Sequence, residues 1–370
     1  MAAPAPPEIA ESLRRQATLL LSPAMFLRDV DPLRGTAVFT PMSEESYRAS
    51  SFLDNRIVRA GDRDVMADLD DLVDLASSLS LERRVIHYLF HVGHCGSTLL
   101  SRVLGERPCY LALREPPLLM GLSRSVRSLG RPGFPIPPER WESLRDLSLL
   151  TLGKTWRADQ TALVKPTSQA GNLIPMLMRH TDRERAVMLY TDLDVYLAAM
   201  LRPHTRRETR LFARDFRTRE FASLVPGAPQ TSDAYDDGPL AAMSWLMHIR
   251  EMAAALDDPA IGPRCMLLHF DTWLADPREV TSRLCEFFGP ALTADEMNRL
   301  DGLPLLSASA KTPGQPFSAE DRRRELAASR NDNAADIAAG LEWVREVCDT
   351  APFNGLLDRF VPATAHPAPP

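Results

Sequence analysis

The residue types that bind phosphate groups in proteins occur together in one segment of this chain. This segment, which we name the phosphate loop, consists of Gly93, His94, Cys95, Gly96, Ser97 and Thr98. Its glycines allow a tight turn and a close approach of backbone N–H groups to an anion. Its two hydroxyls are further hydrogen-bond donors and can also cap a helix. These residue types favour the binding of a phosphorylated nucleotide, and the alternative is an ordinary strand–helix turn with a Ser/Thr cap.

The phosphate loop differs from the nucleotide-binding loop of ATP-hydrolysing enzymes. That loop requires the pattern G-x-x-x-x-G-K-[ST], in which the lysine contacts the outer phosphates and the hydroxyl binds Mg²⁺. In this chain Gly96 is followed by Ser97 and not by lysine. ATP hydrolysis is therefore not the first hypothesis.

A strand and a helix must hold the phosphate loop in place. Residues 85–92 form an apolar, β-prone run, and an amphipathic pattern follows the loop, so its anion would lie at a helix N-terminus. Four more short apolar runs alternate with helical patterns, at residues 109–113, 161–164, 185–190 and 264–270. This alternation predicts an α/β fold with a parallel sheet flanked by helices.

Three further polar positions follow strands of the predicted sheet. Glu115 comes after the second strand, Lys165 after the third, and the pair Thr191-Asp192 after the fourth. Ligands of parallel sheets bind beyond the carboxyl ends of the strands. We therefore expect these positions and the phosphate loop to contribute to one site.

Composition excludes several classes of protein. The chain has 370 residues, 45% hydrophobic content and a net charge of −6, so it lacks the basic excess that is typical of a nucleic-acid-binding domain. It has no apolar run near the roughly 20 residues of a membrane span and no N-terminal secretory pattern. The five cysteines are scattered without a CxxC pair, which favours free thiols in the cytoplasm over disulfides or a zinc site.

The chain divides into three parts by pattern. Residues 1–80 mix short helical patterns with acidic stretches, and we predict a mostly helical cap or extension there. Residues 81–362 carry the α/β pattern, and the Ala/Pro-rich residues 363–370 predict a disordered tail.

Two segments of the chain resemble the sulfotransferase family. One is FHVGHCGSTLLSRVL at residues 90–104, followed by LREP at residues 113–116, and the other is HFDTWLADPREVTSRLCEFFG at residues 269–289. The resemblance covers about residues 84–288 and is strongest to the divergent bacterial branches of the family. It implies a P-loop-like nucleotide-binding fold of sulfotransferase type and the sulfate donor 3′-phosphoadenosine 5′-phosphosulfate (PAPS), with no metal expected.

The resemblance also implies roles for individual residues. In the family, the phosphate loop holds the 5′-phosphosulfate of the donor, and His94 stands where a basic residue usually contacts the leaving phosphate or the sulfuryl group. The alternative for His94 is a loop histidine without a chemical role. Glu115 is at a position where some sulfotransferases place a catalytic glutamate, and its alternative is an exposed carboxylate paired with Arg114. Lys165 could neutralise anions of the donor or substrate, although a surface lysine is the alternative.

Recognition of the 3′-phosphate departs from the family pattern. The family uses an arginine just after the fourth strand and a serine about two helical turns later, but Thr191-Asp192 and Ala199 occupy those positions here. Thr191 can donate one hydrogen bond, whereas Asp192 would repel a phosphate. Other cations that could substitute follow in the basic, helical stretch at residues 202–220, namely Arg202, Arg206 and Arg210, although the alternative for such a run is a solvated helix face.

Three functional hypotheses follow. The first is a PAPS-dependent sulfotransferase that acts on a hydroxyl or amine of a small molecule, lipid or saccharide, with no nucleic-acid partner. The second is a P-loop nucleotide phosphotransferase, whose activity would depend on Mg²⁺. The third is a non-catalytic relative that keeps the loop for nucleotide binding. The sequence identifies neither the acceptor nor the oligomeric state.

Overall fold

The computed structural model describes residues 7–79, 82–301 and 318–360. The segment for which we predicted a disordered tail, residues 363–370, lies outside the described residues. None of the five cysteines, all of which lie among the described residues, forms a disulfide. No helix among the described residues is both long enough and apolar enough to cross a membrane.

A five-stranded sheet forms the centre of the fold. Its strands, in chain order, are β4 (Ile86–His91), β5 (Tyr110–Arg114), β6 (Thr161–Lys165), β7 (Ala186–Tyr190) and β8 (Cys265–His269). Their spatial order is β5-β6-β4-β7-β8, and the sheet is parallel and flanked by helices. The predicted fold class is therefore confirmed, and each strand begins and ends within one residue of its predicted bounds.

Burial explains why these strands could be found by their apolar runs. Every residue of β4, β5 and β7 is buried, whereas the first three residues of the edge strand β8 are only half-buried. Strands that are covered by helices on both faces need apolar residues at every position. β5 is also an edge strand, and part of its open edge is covered by the chain that precedes β4. The backbone N–H of Leu53 donates to the carbonyl of Arg114 in β5 at 2.8 Å.

The chain forms two compact units. One unit contains the described residues up to Leu89 together with Thr98–Ala186, and the other contains Phe90–Ser97 together with the described residues from Val187 onward. Among the described residues, the chain passes between the units within β4, between Ser97 and Thr98, and within β7.

The first unit has helices before, between and after its strands in the sequence. They are α1 (Pro7–Leu21), α2 (Glu44–Ala49), α3 (Leu69–Ser78), α4 (Ser97–Gly105), α5 (Pro117–Ser128), α6 (Pro138–Leu152) and α7 (Ile174–Leu177). The first residue of α4, Ser97, belongs to the other unit. A 3₁₀ segment, Ser168–Leu173, precedes α7.

The N-terminal part of the first unit also contains a small antiparallel sheet that we did not predict. Its strands are β1 (Met25–Asp31), β2 (Thr36–Pro41) and β3 (Val65–Asp68), in the order β1-β2-β3. The register of β1 against β2 shifts between Leu27 and Asp29, which interrupts the alternation of apolar and polar residues. Residues 7–79 thus combine helices with a sheet, while a mostly helical segment was expected.

The second unit is rich in helices after β7. They are α8 (Leu193–Met200), α9 (Pro203–Phe212), α10 (Thr218–Leu224), α11 (Asp237–Asp257), α12 (Phe270–Ala275), α13 (Pro277–Phe288), α14 (Ala294–Asp301), α15 (Ala319–Asp332) and α16 (Ala334–Cys348). A π-helical segment, Ala213–Arg217, joins α9 to α10.

Candidate functional site

The phosphate loop has a backbone conformation that is typical of anion-binding loops. Gly93, His94 and Gly96 have positive φ values of 90°, 50° and 76°, and α4 begins at Ser97. A turn that combines left-handed and right-handed residues before a helix can point neighbouring backbone N–H groups toward one concave side, where they can surround an anion. His94 is not a glycine, so its positive φ is unusual and is typical of a functional constraint.

The interior of the second unit fixes the shape of this loop. The thiol of Cys95 is buried and lies 3.7 Å from the carbonyl oxygen of Leu189 in β7. The backbone N–H of Gly93 donates to Nδ1 of His91 at 3.0 Å. Gly96 lies against the ring of Phe270, and a Cβ at Gly96 would be only 2.0 Å from that ring. The sequence identified Gly96 as a turn residue, but it gave no sign that an aromatic ring requires the glycine.

The hydroxyl-bearing residues of the loop are both largely inaccessible. Ser97 is 4% exposed and Thr98 is 5% exposed. Ser97 is the first residue of α4, where backbone N–H groups have no partner within the helix.

Thr191 and Asp192 follow β7 as predicted, and they differ in their environments. Thr191 is completely buried, its carbonyl accepts a hydrogen bond from Nε1 of Trp245 at 3.0 Å, and its Oγ1 has no hydrogen-bond partner among the described residues. The side chain of Asp192 is 42% exposed. Burial and the negative charge of Asp192 together raise the pKa of Tyr190 to about 12.

Asp192 belongs to a cluster that we did not predict. Nε2 of His269, the last residue of β8, lies 3.2 Å from Oδ1 of Asp192, and Asp271 is close by in the first turn of α12. Nη1 of Arg322 in α15 lies 3.2 Å from Oδ1 of Asp271. The cluster was missed because the sequence does not reveal that β7 and β8 are neighbours. The position of His269 and Asp271 at the end of a strand was the one available signal.

The three arginines that could replace the missing 3′-phosphate ligand have carboxylate partners. Nη1 of Arg202 lies 3.0 Å from Glu325. Arg206 and Arg210 both bind Asp237, with N–O distances of 2.7 and 2.8 Å. A phosphate would have to compete with these carboxylates.

Glu115 and Lys165 form an ion pair in the first unit. The carboxylate of Glu115 accepts a hydrogen bond from Nζ of Lys165, and the backbone N–H of Glu115 donates to the carbonyl of Lys165 at 2.6 Å. The side chain of Lys165 is fully buried, whereas that of Glu115 is 23% exposed. Glu115 has a φ of 54°, an unusual value for a residue with a side chain. Lys165 therefore binds the carboxylate of Glu115 from the protein interior, and Glu115 is the member of the pair that solvent or a ligand can reach.

Arg114 is not the partner of Glu115. Its guanidinium is buried and donates to the carbonyls of Tyr47, Arg48 and Ser50, at the C-terminal end of α2. Burial lowers the pKa of Arg114 to about 10. This residue therefore caps α2 and holds it against β5.

The chain is structurally similar, at low sequence identity, to several sulfotransferases across most of its length. The sulfotransferase domain from the curacin biosynthetic pathway is 13% identical, with 77% of this chain and 99% of that chain covered and a TM-score of 0.38. The sulfotransferase domain of the Synechococcus PCC 7002 olefin synthase is 14% identical, with 69% and 97% covered and a TM-score of 0.39. Mouse sulfotransferase SULT7A1, solved in complex with PAP, is 10% identical, with 77% and 97% covered and a TM-score of 0.31.

No family model and no curated protein matches the sequence. We therefore base the function on the residues of this chain.

Proposed function

We propose that this chain is a sulfotransferase that transfers the sulfuryl group of PAPS to a hydroxyl or amine of an acceptor. The observation that carries the proposal is the conformation of the phosphate loop, with positive φ values at Gly93, His94 and Gly96 directly before α4. The loop sequence, together with the two segments that resemble the family, favours PAPS over a nucleoside triphosphate because the lysine of the ATP-binding loop is replaced by Ser97.

The residues of the loop fit the 5′-phosphosulfate of such a donor. The backbone N–H groups of residues 94–98 and the hydroxyls of Ser97 and Thr98 would hold it, and His94 would add a ring N–H donor. When bound, PAPS supplies the sulfuryl group and 3′,5′-ADP as the leaving group. Donors that are fixed in advance around developing negative charge are an effective form of catalysis.

For the 3′-phosphate, we propose Thr191 as one donor. Its Oγ1 is a buried hydroxyl without a hydrogen-bond partner among the described residues, so a phosphate oxygen would satisfy it. Because Thr191 is completely buried, this contact requires a local opening around it.

We assign Glu115 as the general base of this reaction. An acceptor hydroxyl or amine must lose a proton as it attacks sulfur, and a carboxylate within hydrogen-bond reach contributes typically 10²–10⁴-fold to the rate of such a step. The strained backbone of Glu115 and its ion pair with Lys165 fix the carboxylate in one orientation. Since the ammonium of Lys165 is fully buried, we assign it a positioning role instead of contact with the substrate.

The acceptor class and the cellular compartment are proposed from the sequence alone. We propose a small-molecule, lipid or saccharide acceptor. Five cysteines without a disulfide among them favour the cytoplasm.

The proposal is tested by incubating the protein with ³⁵S-labelled PAPS and a panel of hydroxyl and amine acceptors, and by measuring labelled product and released 3′,5′-ADP. We expect product with the wild type and at least a 100-fold slower reaction with Glu115→Gln, within the range for a general base. Glu139→Gln, which changes an exposed carboxylate in α6, is the matched control and should react like the wild type. No transfer from PAPS combined with turnover of ATP and Mg²⁺ would replace the proposal with a nucleotide phosphotransferase. No turnover of either would favour a non-catalytic nucleotide-binding protein.

A further inference from the structure

We propose that Asp192, His269 and Asp271 bind one divalent transition-metal ion. The site belongs to the second unit and lies at the carboxyl ends of the adjacent strands β7 and β8. It is independent of the proposed donor, because nothing in the three side chains requires a nucleotide.

The geometry of the three side chains suits a metal. Each offers one ligand atom, and these atoms all lie within 4.8 Å of one another. Nε2 of His269 and Oδ1 of Asp192 are 3.2 Å apart. Two ligands that lie about 2.1 Å from one metal ion are separated by about 3.0 Å at a right angle and by about 3.4 Å at the tetrahedral angle, so this pair is spaced as neighbouring ligands would be.

The histidine provides a second observation that points to a ligand. His269 is only 6% exposed, and its Nε2 has no hydrogen-bond partner in the part of the chain that the structure describes. The nearby oxygen of Asp192 is close enough for an ion pair but is not aligned for a hydrogen bond. A buried ring nitrogen without a partner is costly, and a metal ion would satisfy it.

The charges of the cluster also favour a cation. Two carboxylates face one guanidinium, that of Arg322, which lies 3.2 Å from Oδ1 of Asp271. A carboxylate has two oxygens, so Asp271 can keep Arg322 on one oxygen and offer the other to a metal. The side chains of Asp192 and Asp271 are 42% and 45% exposed, which gives an ion a path from solvent.

The ligand set indicates the class of metal. Imidazole suits zinc and other late transition metals, whereas carboxylates also suit manganese, so one histidine with two aspartates favours Zn²⁺ or Mn²⁺ over Ca²⁺. A bound ion would reverse the negative charge that Asp192 places after β7. This change of charge would take place beside the phosphate loop. Phe270 lies between the ligands His269 and Asp271 in the sequence, and its ring packs against Gly96 of the loop.

The test is a calorimetric titration of the full chain with ZnCl₂ and, separately, with MnCl₂, in the absence of any nucleotide. We expect saturable binding of one ion per chain, and Asp192→Asn and His269→Gln should each weaken it at least tenfold. Asp194→Asn is the matched control, because Asp194 is a neighbouring, partly exposed carboxylate whose partner is Arg330 at 2.7 Å, and it should bind metal like the wild type.

Two results would overturn the site. One is the absence of saturable binding of either ion by the wild type. The other is binding by Asp192→Asn and His269→Gln that is as tight as that of the wild type. Melting curves of all variants without metal separate loss of a ligand from loss of the fold. Mn²⁺ electron paramagnetic resonance gives a second readout, since a bound ion loses the free-ion signal. Because no nucleotide is present, failure of the metal site leaves the sulfotransferase proposal unaffected, and the reverse also holds.

Discussion

The ring of Phe270 occupies the space where a side chain at Gly96 would begin. A Cβ at Gly96 would lie 2.0 Å from two ring carbons, and Gly96 also has a φ of 76°. The phosphate loop is therefore shaped by a residue of α12, which is distant from the loop in the sequence. Both the conformation and the space at this position require glycine.

Gly96→Ala should destabilise the protein by about 2–4 kcal/mol, because overpacking costs about 1–3 kcal/mol and a left-handed residue with a side chain adds about 1 kcal/mol. The measurement is the free energy of unfolding in urea. Gly130→Ala is the matched control, since Gly130 has a φ of 75° and no atom within 4 Å of a Cβ at that position.

Removal of the ring isolates the contribution of the clash. In Gly96→Ala/Phe270→Ala the added methyl group no longer meets the ring, so the double variant should lose less stability than the sum of the two single variants. Strict additivity, or equal effects of the alanine at positions 96 and 130, would contradict the packing that we describe.

The ion pair of Glu115 and Lys165 should respond asymmetrically to substitution. Glu115→Gln leaves the fully buried ammonium of Lys165 without a countercharge, whereas Lys165→Met leaves a carboxylate that is 23% exposed and can be hydrated. Loss of one partner of a buried pair costs on the order of 3–5 kcal/mol, and we expect Glu115→Gln to approach this range and Lys165→Met to cost less.

The control for this pair is the variant with both substitutions. Glu115→Gln/Lys165→Met buries no charge and should be more stable than Glu115→Gln alone, as measured by urea unfolding. An equal loss of stability in both single variants would show that the buried ammonium does not depend on Glu115.

The five central strands were predictable because their burial leaves a local signal. A strand that is covered on both faces is an uninterrupted apolar run, and β4 and β7 are buried at every position. The strands β1 to β3 were not found, because β1 carries Arg28 and Asp29 at the position where its register shifts. A half-exposed, irregular strand has no clear period in its sequence.

The partners of the site residues were harder to predict than their positions. Glu115 and Lys165 were both placed at strand ends, but the sequence suggested Arg114 as a partner of Glu115 only in the alternative to a catalytic role, and it did not suggest Lys165. The true pairing follows from the register of β5 against β6, in which Arg114 lies opposite Lys165. Such adjacency connects residues that are distant in the chain, so no local pattern encodes it.

Lys154 should make stability depend on pH. Its ammonium donates to the carbonyls of Leu19 and Met25, and burial lowers its pKa from 10.5 to about 7. Between pH 7 and about 10.5 the unfolded chain keeps a proton that the folded chain has lost, so the unfolded state binds more protons. The contribution of this group to stability therefore rises with pH across that window, by at most about 1.4 kcal/mol per pH unit.

This dependence is measured as the difference in the free energy of unfolding between the wild type and Lys154→Met at pH 7 and pH 9.5. The wild type should gain relative to the variant as the pH rises. A constant difference would show that Lys154 keeps its proton in the folded state throughout the window.

Thermal unfolding of the wild type in the presence of three nucleotides tests most directly whether the phosphate loop binds a sulfotransferase donor. A ligand that binds only the folded state stabilises it by RT ln(1 + [L]/Kd), so at equal concentration the tighter ligand gives the higher melting temperature. We predict that 3′,5′-ADP raises the melting temperature more than 5′-AMP or ATP with Mg²⁺ at equal concentration. A melting temperature that does not respond to 3′,5′-ADP would contradict the assignment of the donor.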